Sequence, residues 1–302
     1  MRFRNTQVWG FEHAIRGMRN PKESWAKSDS KYAYTYTIGK NDMTLAQSLI
    51  RGGSEHRKFL RQIFVSVDIT APMYWWSEFD TYKVGTVANS TSKMHKIASR
   101  PITIDCFEID DYQDSLVVLD NADGQLSRPI GACVETHINT LEKLRQTYLN
   151  YVQESRLCQD EEMKNHLKTV AKSYWKELIR WLPESWLQTR TVTLSYENIF
   201  AMCSKGQRRF HKLNEWSGQD NNMLENFVSW ARKLPYAQEL IFLDELTQSE
   251  NTEMEQLREV ILKLTNNQID IKYDPSEVKE TDKNMFKPMS QVLLEIAKVF
   301  ES

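Results

Sequence analysis

Cysteine is scarce in this chain. Its 302 residues hold four, Cys106, Cys133, Cys158 and Cys203, widely scattered. No C-x-x-C pair occurs, and no histidine stands at zinc-finger spacing from any of them, which argues against a structural zinc site. The same sparseness argues against a disulfide framework, so a reducing, cytoplasmic setting is expected. The opening stretch, MRFRNTQVWGFEHAIRGMR, lacks the apolar core of a signal peptide. No apolar run reaches the roughly 18–20 residues that a membrane helix needs. Neither G-x-x-x-x-G-K-[ST] nor G-x-G-x-x-G is present, so P-loop and Rossmann phosphate cradles are unsupported. G-x-S-x-G is also missing, and Ser54 after Gly52 and Gly53 reads as a helix cap rather than a nucleophile. Positive charge is not in excess. A formal net charge of −2 gives no global field for nucleic acid or an acidic membrane, while leaving room for a local basic pocket.

What is present is an ordinary globular composition, 40% hydrophobic and 26% charged, with nine tryptophans. Val8, Phe11, Ile15 and Met18 recur at helical spacing, so residues 5–19 are expected to form a short amphipathic helix. KYAYTYTI alternates as a strand does, though an extended arm fits it equally. Asp42 stands where an N-cap belongs before MTLAQSLIRGG, and Ser54 where a cap belongs before EHRKFLRQ. In IFVSVDITA, Ile63, Val65, Val67 and Ile69 face one way and Phe64, Ser66, Asp68 and Thr70 the other, a strand that Pro72 ends. PITIDCFEI reads as extended. From about Glu135 to Leu182 the period turns helical, broken into two helices near SRLCQDEE and stopped by Pro183. QTRTVTLSYENIFAMCS starts as a strand and becomes a helix at Tyr196. NNMLENFVSWARKL, TEMEQLREVILKLTNN and MSQVLLEIAKVF read as further helices. The fold class is α+β, helix-rich, with a small twisted sheet.

Three stretches carry candidate chemistry. Trp75 and Trp76 precede the polar run Thr86, Asn89, Ser90, Thr91 and Ser92, as if aromatic walls met small donors and acceptors; burial in the core is the plainer reading of the tryptophans. His56, Arg57, Lys58 and Arg61 cluster at a helix start, which suits a phosphate, although a solvated helix end accounts for them as well. Arg208, Arg209 and His211 form a second basic cluster with the same two readings.

The order of these pieces adds to this. The His56 segment leads into IFVSVDITAP, then the aromatics and the polar run, a long helical region, LP…TRTVT…YEN, and RRFHKLNEW. Over roughly residues 40–240 this resembles the flavin-dependent thymidylate synthases, whose signature is R-H-R-x-x-S-x-N-x-x-S-x-R-Y. On that resemblance the signature's leading positions fall on Thr81, Tyr82 and Lys83. Its serines fall on Thr86 and Thr91, its asparagine beside Asn89 and its last arginine on Lys93. His211 and Glu215 match an H-x-x-x-E spacing.

The resemblance implies a thymidylate-synthase-like domain over 1–240 and a C-terminal helical extension over 241–302. It implies FAD as cofactor, deoxyuridine monophosphate (dUMP) as substrate, and methylenetetrahydrofolate and NADPH as co-substrates of a reductive methylation. No metal is implied, and the assembly would be a homotetramer. His56, Lys83, Thr86, Asn89, Asn198 and His211 would surround the flavin. Glu78, Thr91, Lys93, Arg180 and Arg208 would bind the nucleotide, with Arg208 catalytic. Lysine for arginine at Lys83 and Lys93 keeps charge and loses the bidentate fork. Thr81 and Tyr82 lose a cation and an imidazole, which leaves open a relative with a different pyrimidine modification, or with none.

Overall fold

The computed structural model describes residues 1–33, 35–110, 112, 118–119, 128–203, 208–218 and 224–246. The chain divides into two compact units, Met1–Pro235 and Tyr236–Ser302. In order along the first unit come β1 (Arg2–Trp9), α1 (Phe11–Met18), β2 (Lys31–Tyr32), β3 (Tyr36–Thr37), α2 (Lys40–Arg51), β4 (Phe64–Pro72) and α3 (Met73–Phe79). There follow β5 (Val87–Ser90), α4 (Lys93–Lys96), β6 (Val118–Leu119), β7 (Arg128–Pro129), α5 (Ile130–Leu157), α6 (Glu161–Arg180), β8 (Leu187–Ser195), α7 (Tyr196–Cys203), α8 (Asn214–Ser217) and α9 (Phe227–Arg232). The second unit contributes α10 (Ala237–Leu240). The helices expected in TEMEQLREVILKLTNN and MSQVLLEIAKVF lie outside the described residues.

The main sheet is antiparallel, in the order β1-β4-β8-β5. Alternation in β4 decides its faces. Val65, Val67, Ile69 and Ala71 are buried, and Ser66, Asp68 and Thr70 are only half-buried. Val192 and Leu194 of β8 join the buried face. Against it lies an aromatic core. Trp75 and Trp76 of α3 are fully buried, with Trp75 stacked at 4.6 Å on Trp216 and at 5.1 Å on Phe79. The adjacent tryptophans are therefore packing, as their plainer reading held. A second core joins α5 and α6 to the loop before them through Ile97, Ile102, Phe107, Leu141, Leu178 and Trp186. The helical hairpin breaks at residues 158–160, inside the expected break.

Four local expectations are corrected. Residues 2–9 form an edge strand, and the helix begins only after Gly10, whose φ of 96° few other residues adopt. Asp42 is not an N-cap; Gly39 holds that place. Asp42 is fully buried inside α2 and accepts from Arg19 Nε (2.5 Å), Ser28 Oγ (2.7 Å) and Ser30 Oγ (2.5 Å). Burial works to raise its pKa, but those hydrogen bonds outweigh burial and leave it lowered. Ser54 caps nothing, since the short 3₁₀ helix Arg57–Gln62 starts at His56 without a side-chain cap. PITIDCFEI is largely loop around a 3₁₀ turn, Ile104–Cys106. All four cysteines are free thiols.

Candidate functional site

Register across the sheet builds one surface. Arg2 pairs with Thr70, Thr70 with Thr189, and the Thr91 N–H donates to Thr189 O at 2.9 Å. The next row on the same face runs Arg4, Asp68, Thr191, Asn89. Directly opposed residues in an antiparallel ladder share a face, so this face is hydroxyl-rich and polar. Its side chains bond to one another: Thr70 to Thr189 at 2.7 Å, and Thr191 Oγ1 to Asp68 Oδ1 at 2.6 Å. Asn5 donates to the other Asp68 oxygen at 2.7 Å. The Thr191 hydrogen bond, followed by that from Asn5, holds the Asp68 carboxyl below its usual pKa. Over this face lies an open groove of about 550 Å³. The segment Thr91–Arg100, including α4, forms one wall; Arg2 and Arg4 form the other; Trp186, Leu187 and Ile97 supply an apolar part.

The loop before β5 is held from the far side. Asn198 Nδ2 donates to Val84 O at 2.7 Å. Its Oδ1 accepts from Ser195 N (3.0 Å) and Ser195 Oγ (2.7 Å), while Ser195 Oγ lies 3.3 Å from Asn198 N. This is a reciprocal cap at the start of α7, with asparagine in the place usually held by glutamate or glutamine. Thr86 Oγ1 donates to Tyr82 O at 2.9 Å, closing the same loop on itself. Asn198 and Thr86 thus shape the loop that presents Lys83 and Asn89 to solvent.

Arg208 sits on the other side of the sheet, with α3. Its Nη2 donates to Glu78 Oε2 at 2.7 Å and its Nε to Tyr82 Oη at 3.1 Å. The guanidinium lies 4.9 Å from the Trp216 ring centroid and 5.4 Å from that of Tyr82, a cation held between aromatic faces. His211 packs edge-on to Trp216, and its Nδ1 accepts from Leu213 N at 3.1 Å. Burial first, and then the Arg208 charge, lowers the His211 pKa, favouring neutral imidazole. Glu215 accepts from the Tyr74 hydroxyl. Trp216 Nε1 is buried and unpartnered among the described residues. Arg190, on this same face, donates to Asp80 at 2.8 Å and lies 4.2 Å over Trp76.

The expected site residues therefore fall into separate groups. Thr91, Lys93 and Asn89 share the polar face. Glu78, Arg208 and His211 gather on the buried face. Arg180, at the end of α6, pairs with Glu177 of its own helix and is half exposed. His56 is exposed, but its neighbours are engaged: Arg57 holds Glu197 at 3.0 Å and Lys58 faces Glu55 at 3.6 Å. Arg2 and Arg4 carry no expected role in the sequence, because they lie just ahead of the helix expected over residues 5–19 and their strand exists only through pairing with β4. An R-x-R spacing, which puts both on one face of a strand, was the available signal. Tyr82, counted there only as a lost imidazole, turns out to hold Arg208.

For a flavin, the donor set is mixed but suitable. Asn198 and Thr86 are committed to the loop, whereas Lys83, Asn89 and His56 are exposed. Val84 and Val87, which neighbour Lys83 and Asn89 along the chain, are 89% and 67% exposed. Exposed apolar surface next to an ammonium and a carboxamide suits a phosphorylated ring ligand.

These features define a fold class that comparison with known proteins identifies. No family model matches the sequence, and no curated protein matches it. The fold is that of the flavin-dependent thymidylate synthases. The chain is similar to flavin-dependent thymidylate synthase ThyX from Helicobacter pylori, solved as a complex with FAD and dUMP. That likeness has 15% identity and a TM-score of 0.50, and covers 81% of this chain and 99% of the other. It is also similar, at 13% identity and a TM-score of 0.45, to the UMP/dUMP methylase PolB from Streptomyces cacaoi bound with 5-Br dUMP, covering 79% of this chain and 95% of that one. No helix among the described residues is long and apolar enough to cross a membrane.

Proposed function

We propose that the chain binds a uridine nucleotide in the groove over the polar sheet face and, with FAD, methylates the pyrimidine reductively at C5. In that reading dUMP becomes dTMP, methylenetetrahydrofolate supplies the carbon and NADPH the reducing equivalents. One observation carries it: Thr91 and Lys93, the positions aligned with the family's serine and arginine, open together into a groove lined by hydroxyls and by cations that form no ion pair among the described residues. The ligand identities come from the solved complex with FAD and dUMP whose fold this chain shares.

Lys93 would meet the nucleotide phosphate as a point charge, and Thr91 would add a hydroxyl. Lys83, Asn89 and His56 would meet the flavin; bound FAD would supply the hydride, and the protein its position and charge. Glu78, Arg208 and His211 lie on the opposite face. They would serve a ligand held by a neighbouring copy in a homotetramer, built from the domain over residues 1–240. Lysine orients a phosphate less rigidly than a guanidinium fork, and a misplacement of about 1 Å costs on the order of 100-fold in rate. Turnover of dUMP should therefore be slow. Tritium release from C5-labelled dUMP, with FAD, NADPH and methylenetetrahydrofolate, tests this. Slow release that stops without flavin is expected. No release, together with no quenching of flavin fluorescence at tens of micromolar, would contradict it.

A further inference from the structure

The groove holds more positive charge than a nucleoside monophosphate uses. Five cations line it, Arg2, Arg4, Lys93, Lys96 and Arg100, against two carboxylates, Asp68 and Asp105. Among the described residues none of the five cations forms an ion pair or a side-chain hydrogen bond. Asp68 is committed on both oxygens, to Thr191 and Asn5. The cations stand in two banks. Arg2 and Arg4 project from edge strand β1, two residues apart and on one face. Lys93, Lys96 and Arg100 stand beyond β5 at the opposite edge. Three strand spacings separate β1 from β5, roughly 14 Å. One phosphate brings at most about two negative charges and covers a fraction of that width. Between the banks the floor carries the Thr70 and Thr189 hydroxyls beside the Asp68 carboxylate, and Trp186, Ile97 and Leu187 offer an apolar place for a ring.

We infer that the groove takes a nucleoside di- or triphosphate, its first phosphate at Thr91 and Lys93 and its outer phosphates at Arg2 and Arg4. This rests on the nucleotide reading above for the base, but not for the phosphate chain. Like charges left unpaired along an edge strand repel one another, and a polyphosphate bridging the two banks relieves that repulsion.

The test is equilibrium titration of the full chain with dUMP, dUDP and dUTP, and with inorganic phosphate and tripolyphosphate. The same titrations follow on Arg2→Gln/Arg4→Gln, and on Arg4→Gln alone as a second variant should the first not fold. We expect dUTP to bind about 10- to 100-fold more tightly than dUMP, as one or two added charge-assisted contacts would give. In the double variant the two should come within about threefold. If dUMP binds as tightly as dUTP, or if the variants keep the preference, the phosphate-chain inference falls while the proposed function stands. If tripolyphosphate binds through Arg2 and Arg4 but no uridine nucleotide binds better than it, the groove takes a phosphate chain without a base, and the inference falls together with the proposed function. An oligodeoxyuridylate that outcompetes dUTP would also overturn the inference, because the groove would then follow a polynucleotide.

Discussion

Replacing Asn198 separates two roles that its single side chain performs. Asn198→Asp keeps an oxygen for Ser195 N and Ser195 Oγ but turns an oxygen toward Val84 O, where the amide now donates at 2.7 Å. Asn198→Ala removes all three contacts. A neutral hydrogen bond contributes about 0.5–1.5 kcal/mol net, and a helix cap about 1 kcal/mol. Asn198→Ala should therefore cost about 1.5–2.5 kcal/mol globally. In Asn198→Asp the cap survives and the loss falls on the loop. The opening equilibrium of residues 80–86 should rise about 2- to 12-fold, the factor that 0.5–1.5 kcal/mol represents. Amide hydrogen exchange reads this directly at Tyr82 and Thr86, whose N–H groups donate to Phe79 O and Lys83 O. Flavin affinity should fall by a similar factor, because the loop presents Lys83. If exchange at Tyr82 and Thr86 is unchanged in Asn198→Asp while flavin binding is lost, Asn198 acts on the ligand itself, and the loop-holding argument is wrong.

Three further outcomes follow from the same physics. Asp42→Ala strands the buried Arg19 guanidinium together with the Ser28 and Ser30 hydroxyls that donate to the same carboxylate, and should cost about 3–5 kcal/mol by urea unfolding; a loss below about 1 kcal/mol would refute the pairing. Hydrogen bonds from Arg145, despite opposing burial, push the Glu142 carboxyl down to about 2. A depressed carboxylate stabilises above its unfolded value and loses that contribution as pH falls, so wild type should exceed Glu142→Gln in thermal stability at pH 6, with the gap closing between about pH 4.5 and 2. Arg208→Ala should leave the dUMP affinity of a single isolated chain within about twofold, since Arg208 lies across the sheet from the groove; a larger loss would place Arg208 in the same ligand contact as Lys93.

Much of the scaffold was legible wherever the pattern was local. The alternation of β4, the break between α5 and α6 and the strand-to-helix change at Tyr196 all depend on neighbours along the chain. Strand β1 was not legible, because Val8, Phe11, Ile15 and Met18 fall at helical spacing across a boundary that only Gly10 marks, and the strand exists through pairing with β4 some sixty residues away. Asp42 was misread for the same reason. Its position before an apolar run suggests a cap, but its partners, Arg19, Ser28 and Ser30, arrive through the fold. For the site, the order of segments could be read and their faces could not. Register sets which side of the sheet Thr91 and Arg208 occupy, and a one-residue shift in pairing would reverse it.

Calorimetric titration of dUMP into wild type, Lys93→Ala and Arg16→Ala tests the central claim most directly. Arg16 lies on α1, outside the groove, and its substitution should leave the affinity within about twofold. Loss of a charge-assisted phosphate contact at Lys93 costs about 1.5–3 kcal/mol, so Lys93→Ala should weaken dUMP binding about 10- to 150-fold. Equal affinities for the two variants, or no binding of dUMP by the folded wild type, would contradict a nucleotide site in the groove.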